Sequence, residues 1–180
     1  MTNVLLCSAA SAALHKACDL ASKLTQRGHE VHCVLTPRAA QLVSPQLFEA
    51  VTGRPAAVDE FGPDRRGAMD HIELSSRAGI AVVAPASADL CAQIAHGLGG
   101  SLVTTALLAL PAGIPRLLCP AMNPHMLASR PVQRNLGQLR EDGWEVLEPE
   151  SGHMACGDEG RGRLPEPEAI LAAVEALLGR

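Results

Sequence analysis

The run from Gly79 to Ser87, GIAVVAPAS, has no charged side chain and no alternation of polar with apolar positions. A strand with one wet face shows a period of two; a run that is apolar throughout needs cover on both faces. Such a strand belongs inside a parallel sheet with helices above and below it.

The rest of the chain supplies that sheet. NVLLCSA (Asn3 to Ala9) and EVHCVLT (Glu30 to Thr36) precede the run, and PRLLCPAMN (Pro115 to Asn123) and WEVLEP (Trp144 to Pro149) follow it. Between the strands, Leu14, Cys18, Ala21 and Leu24 recur at helical spacing up to Gly28. Further helical patterns cover Ala88 to His96, Ser101 to Leu110 and Val132 to Arg140, with a closing helix from about Glu166 to Leu178. Strands alternating with helices predict a single-domain α/β fold: a doubly wound, Rossmann-like or flavodoxin-like parallel sheet with right-handed crossovers. Val51 to Asp70 is a long polar connection expected to be partly mobile.

At 180 residues the chain needs no disulfide staple. Its six cysteines show neither a C-x-x-C pair nor His/Cys spacing suited to zinc, and Cys7, Cys33 and Cys119 lie in strand-like runs. They read as reduced, mostly buried thiols of a cytoplasmic protein with no metal site. The N-terminus lacks a secretion signal, and no apolar run reaches the ~18 residues of a membrane span. A formal net charge of −4, a pI near 5.9 and the absence of tyrosine argue against nucleic acid as a partner.

Sheets of this kind bind ligands at the carboxyl ends of their strands, and several motifs share that address. SAASAAL (Ser8 to Leu14) is either an ordinary strand-to-helix turn or a phosphate cradle at a helix N-terminus, and Thr36 stands ready to serve the same anion. It is not a G-x-G-x-x-G motif, so dinucleotide binding is poorly supported. In APASADL (Ala84 to Leu90), Ser87 and Asp89 are helix caps or ligand contacts. PAMNPHML (Pro120 to Leu127) sets Asn123 between two methionines, an arrangement suited to a flat ring or a carboxylate. His71 opens a helix, HIELSSRAG, as a solvated starting residue or a catalyst. Cys156 lies in SGHMACGDEGRGRLPEP (Ser151 to Pro167), a glycine-rich, charged segment read as a strandless loop, where a structural cysteine has no core to fill.

The segments DHIELSSRAGIAVVAPASADLCAQIAHGLGGSLVTTALLA, PAMNPHML and ACGDEGRGRL resemble, in this order, the homo-oligomeric flavin-containing cysteine decarboxylase family. His71 stands 52 residues before Asn123, and Asn123 stands 33 before Cys156. The resemblance runs from about Val4 to Pro167, and the members nearest to this chain act on phosphopantothenoylcysteine. It implies one flavoprotein decarboxylase domain over residues 1–180, with a flexible substrate clamp at about 151–167 and without the synthetase domain to which many bacterial members are fused. FMN would be held by Ala10, Ser11, Ala12, Thr36, Ser87, Ala88, Asp89 and Ala121. Substrate would meet Asn123, which takes its carboxylate, and Met126, His153, Met154 and Ala155. His71 and Cys156 would be catalytic, Cys156 as the proton donor of the last step.

The implied reaction is FMN-dependent oxidative decarboxylation of a cysteinyl carboxylate, from 4'-phosphopantothenoylcysteine to 4'-phosphopantetheine on the route to coenzyme A. One alternative is a peptidyl-cysteine decarboxylase that stops at the enethiol on a precursor peptide; another is a non-catalytic FMN-binding regulatory subunit. The partners implied are a small-molecule or peptide cysteinyl substrate and further copies of the chain, as a trimer or a dodecamer built of trimers. Three positions depart from the family pattern: Ala10 replaces a glycine, Asp89 an asparagine and Leu127 a tryptophan.

Overall fold

The computed structural model describes residues 1–62, 67, 69–153 and 157–179. Strands β1 (Asn3–Ser8), β2 (Glu30–Leu35), β3 (Ile80–Ala86), β4 (Arg116–Pro120) and β5 (Glu145–Val146) form one sheet in the order β2-β1-β3-β4-β5. Every pairing is parallel, with Val4 level with both Val31 and Ile80. The expected doubly wound α/β sheet is therefore present in its flavodoxin-like strand order.

All seven residues of β3 are buried, as an apolar run without alternation requires. Side chains on the central strands alternate between two cores. Val4, Leu6, Ile80 and Val82 face a layer made by α1 (Leu14–Gln26), α3 (Pro45–Thr52) and α9 (Pro167–Leu177). Leu5, Cys7, Ala81 and Val83 face α4 (Asp70–Arg77), α5 (Ala88–Ala95), α6 (Leu102–Leu108) and α8 (Arg130–Glu141). Each fully buried aliphatic side chain contributes about 1.5–3 kcal/mol of transfer free energy, which ties strand order to layer composition. At the carboxyl edge the Ser8 hydroxyl donates to the Ala84 carbonyl at 2.7 Å and fastens β1 to β3.

Two further helices, α2 (Pro37–Leu42) and α7 (Pro124–Ala128), follow strand ends directly. Neither α2 nor α3 is predicted by periodicity; each begins with a proline behind a hydroxyl cap, Thr36 and Ser44 respectively. Beyond α3 the chain returns along the outer margin of β2. There Leu35 N–H donates to the Ala57 carbonyl and Ala57 N–H to the Cys33 carbonyl, both at 2.9 Å.

The largest correction concerns Ser151 to Pro167. The segment is not strandless: β6 (Glu150–His153) and β7 (Glu159–Arg163) form an antiparallel hairpin. Its glycines and charges give no apolar alternation because the hairpin rests on the loops at the sheet's edge instead of covering a core. Met122 N–H donates to the Gly162 carbonyl at 3.0 Å. Gly160 lies so close to Pro124 that a Cβ there would stand 3.0 Å from the ring. Among the described residues no helix is long and apolar enough to cross a membrane.

Candidate functional site

The helix after β1 packs on one face of the sheet and the helix after β3 on the other. This divergence leaves a crevice at the carboxyl ends of the two strands, where ligands of such sheets bind. A cavity of about 650 Å³ opens there, within the range of small-molecule sites.

Four chain segments wall it: the β1–α1 turn from Ala10 to Lys16, Ser87 and Ala88 at the start of α5, Ala121 to Asn123 with Met126 around α7, and His153 with Gly162 to Leu164 of the hairpin. Each wall has a local cause. α1 opens with no side-chain cap; Leu14 N–H turns back to the Ser11 carbonyl at 3.1 Å and Lys16 N–H to the Ala13 carbonyl at 3.0 Å, which sets the positive end of the helix dipole at the cavity wall. The Ser11 hydroxyl accepts from Ala13 N–H at 3.2 Å, and the Ser87 hydroxyl caps α5 by accepting from Leu90 N–H at 3.2 Å. A hydroxyl that accepts from backbone still has its own proton to donate. Alanines at 10, 12, 88 and 121 let a ligand approach the backbone, and Met122 and Met126 add soft apolar surface suited to a planar ring.

Asn123 caps α7. Its Oδ1 accepts from His125 N–H at 2.8 Å, while its Nδ2 donates to Asp158 Oδ2 across the gap to the hairpin. The basic groups His15, Lys16, His153 and Arg163 also line the cavity. The Lys16 ammonium donates to the Leu164 carbonyl at 3.0 Å and to Glu166 at 2.7 Å, joining the first turn to the base of the hairpin.

Ala10, Ser11, Ala12, Ser87, Ala88, Ala121, Asn123, Met126 and His153 thus meet at one cavity. Thr36, Asp89 and His71 do not line the cavity of their own chain. Thr36 caps α2 by accepting from Ala39 N–H at 3.2 Å, although its own N–H reaches Ser8. Asp89 points to solvent and accepts from Gln93 at 2.9 Å. His71 starts α4, at the carboxyl edge but on the face opposite α1, with Nδ1 paired to Glu60. Met154, Ala155 and Cys156 lie outside the described residues. Leu127 is buried in the core with Leu136, filling the position where the family pattern has tryptophan.

Sequence reasoning missed Lys16, Glu60 and Asp158. Lys16 carried one signal: a cation in the first turn of a helix opposes the macrodipole and so implies another partner. The buried thiols are not candidates for chemistry. Burial pushes Cys91 up to about 12 and raises Cys7 and Cys119 as well. Among the described residues no cluster of His, Cys, Asp or Glu is fit to hold a metal.

A 2-1-3-4-5 sheet with an uncapped helix N-terminus and apolar walls at its β1/β3 crevice defines a mononucleotide-binding protein of the flavodoxin-like class. The chain belongs to the flavoprotein family, which it matches across residues 1–179. It is 40% identical over 96% of its length to the coenzyme A biosynthesis bifunctional protein CoaBC of Bacillus subtilis, and spans 42% of that protein's length. It is 34% identical to a probable phosphopantothenoylcysteine decarboxylase of Streptococcus mutans, covering 97% of this chain and 98% of the relative. Among solved structures it resembles a cysteine-to-serine variant of PPC decarboxylase complexed with pantothenoylaminoethenethiol, at a TM-score of 0.86, 28% identity and 99% coverage of both chains. It also resembles the FMN-dependent cysteine decarboxylase SpaF, at a TM-score of 0.84 and 28% identity, over 99% of this chain and 97% of the other.

Proposed function

We propose that this chain is an FMN-dependent cysteine decarboxylase acting on 4'-phosphopantothenoylcysteine. The observation that carries the reading is the cavity at the β1/β3 crevice, where the α1 N-terminus, soft apolar walls and the Asn123 amide meet. The described residues fit FMN. The α1 N-terminus with Ser11 and Ser87 suits one phosphate, and Ala88, Ala121 and Met122 suit a flat ring. When bound, FMN supplies the two-electron oxidation of the cysteinyl thiol that makes its carboxylate a leaving group.

The protein's own part is binding, orientation and proton handling. Asn123 takes the substrate carboxylate, its amide fixed by His125 N–H on one side; Met126 and His153 flank the bound chain. Cys156 donates the proton that completes a saturated thiol. His71 acts as base or electrostatic partner at the oxidation step, its ring oriented by Glu60 through Nδ1.

Because His71 sits on the face opposite α1, we assign it to the cavity of a neighbouring copy in a homo-oligomer, a trimer or a larger assembly of trimers. Around it the α4–α6 side exposes Phe61, Met69, Ile72, Leu98 and Leu108, with Phe61 at 89% and Leu108 at 60%. These exposed apolar side chains support an interface on that side. Among the described residues five cysteines are buried outside any disulfide, which supports a reducing, cytoplasmic setting.

The test is to incubate the FMN-loaded protein with phosphopantothenoylcysteine and, separately, with a peptide ending in cysteine, and to weigh the products. Loss of carbon dioxide alone from the first substrate is expected. Loss of carbon dioxide plus two hydrogens from the peptide only would move the assignment to peptide modification. A protein that takes up no FMN would end both readings. Cys156→Ser should release carbon dioxide but stall two hydrogens short of the normal product, since a serine hydroxyl is too weak an acid to replace the thiol.

A further inference from the structure

Asn123, which lines the cavity, meets Asp158 of the hairpin, and the contact bears on how the site empties. Asn123 Nδ2 donates to the Asp158 carboxylate, while Oδ1 is held by His125 N–H. The amide therefore cannot flip without losing both bonds, and its donor end is the only end it can offer to an anion. That end already holds a carboxylate, supplied by Asp158 of the hairpin.

We propose that Asp158 is an internal carboxylate that exchanges with the ligand's carboxylate on Asn123, so that decarboxylation itself restores the free site. The inference rests on the assignment of Asn123 made above and adds to it a second, competing anion. The amide nitrogen has two hydrogens to donate, but two carboxylates on it would stand within about 5 Å, where like charges repel and each weakens the other's hold. An incoming cysteinyl carboxylate displaces Asp158. Once that carboxylate leaves as carbon dioxide, the product has no acceptor for the amide, and Asp158 takes it back.

Asp158 is a positioning residue in this scheme. It touches neither the thiol nor the carbon that loses carbon dioxide; it sets the affinity difference between what enters and what leaves. The neighbouring contacts give it a fixed base from which to act, because Met122 N–H is bonded to Gly162 and Pro124 packs on Gly160 within the same hairpin.

The test uses the FMN-loaded protein and two inert probes: pantothenoyl-S-methylcysteine, whose thioether cannot be oxidised to a thioaldehyde, and the same compound lacking its carboxyl group. Binding is measured by calorimetry for the parent, Asp158→Asn, Asp158→Ala and Asn123→Ala. Removing a competing charged hydrogen bond should tighten the carboxylate probe about tenfold in both Asp158 variants. The probe without a carboxyl group should bind all four proteins within about twofold, since it meets neither side of the exchange. Asn123→Ala should abolish the preference for the carboxylate.

Weaker or unchanged binding of the carboxylate probe to the Asp158 variants overturns the exchange and leaves Asn123's role intact. An equal change in both probes also overturns it, and would make Asp158 a scaffold residue. If Asn123→Ala keeps the carboxylate preference, the assignment of Asn123 fails first and the exchange falls with it.

Discussion

Replacing Gly160 by alanine adds one methyl group at the place where β7 rests on α7. The new Cβ would stand 3.0 and 3.2 Å from two ring carbons of Pro124, against the ~3.5–4.0 Å of an ordinary carbon contact. The φ of +155° at residue 160 is also one that side-chain-bearing residues rarely adopt. Overpacking costs about 1–3 kcal/mol and such a backbone conformation about 1–3 kcal/mol more. Pro124 cannot swing aside, because it is the first residue of α7 and fixed in the ring geometry that opens the helix. The strain can instead be relieved by lifting the hairpin, which lies outside both hydrophobic cores. The global loss should then stay near 1–2 kcal/mol, about 2–8 °C in Tm for a chain of this size. The local effect should be larger: cleavage within 150–163 by a non-specific protease should accelerate about tenfold, and KM for a carboxylate substrate should rise while bound FMN is retained. A Gly160→Ala protein with the parent's proteolysis rate and KM would refute the docking argument.

Ser87→Ala removes the cap of α5 and a cavity hydroxyl together. The apo protein should lose about 1 kcal/mol, read as a 2–4 °C fall in Tm, and FMN should bind about tenfold more weakly by fluorescence titration. Thiol alkylation at pH 8 should leave Cys7, Cys91 and Cys119 unmodified until denaturant is added, as mapped by mass spectrometry. An unfolded thiol ionises near 9.0, whereas burial holds these three protonated well above that value. The folded chain then binds more protons than the unfolded one, so their contribution to stability is complete below pH 9 and declines as pH rises past it. On the proposed assembly, Leu108→Asp should give a monomer in light scattering with unchanged circular dichroism, and decarboxylation should vanish with it because His71 is assigned to a neighbouring copy's cavity.

The sheet was legible because β1, β3 and β4 are apolar runs separated by helical spacing, and β3 needs no tertiary information to be read as central. The short helices α2 and α3 were not, since six and eight residues give too few periodic positions to separate them from a loop. Three walls of the cavity follow from the rule that ligands sit at strand ends; the fourth, Gly162 to Leu164, belongs to a hairpin whose glycine and charge conceal its pairing. The contacts that organise the site lie far apart in sequence. Lys16 meets Leu164 across 148 positions, Asn123 meets Asp158 across 35, and even His71 and Glu60 are 11 apart. Lys16, Glu60 and Asp158 alone read as surface charges, and only the fold supplies their partners.

The margins of the sheet bear on what kind of aggregate this molecule can form. β5 has two paired residues, and the far side of β2 is occupied by the strand-like approach of Ala57. Neither rim offers a long row of vacant peptide groups on which another chain could be templated, the route by which edge strands grow into fibres. In the proposed assembly, copies would meet through helical side chains, where contact is fixed by shape and can close into a ring of finite size. A protein that exposes Phe61 and Leu108 can thus be sticky in one direction without being prone to endless growth.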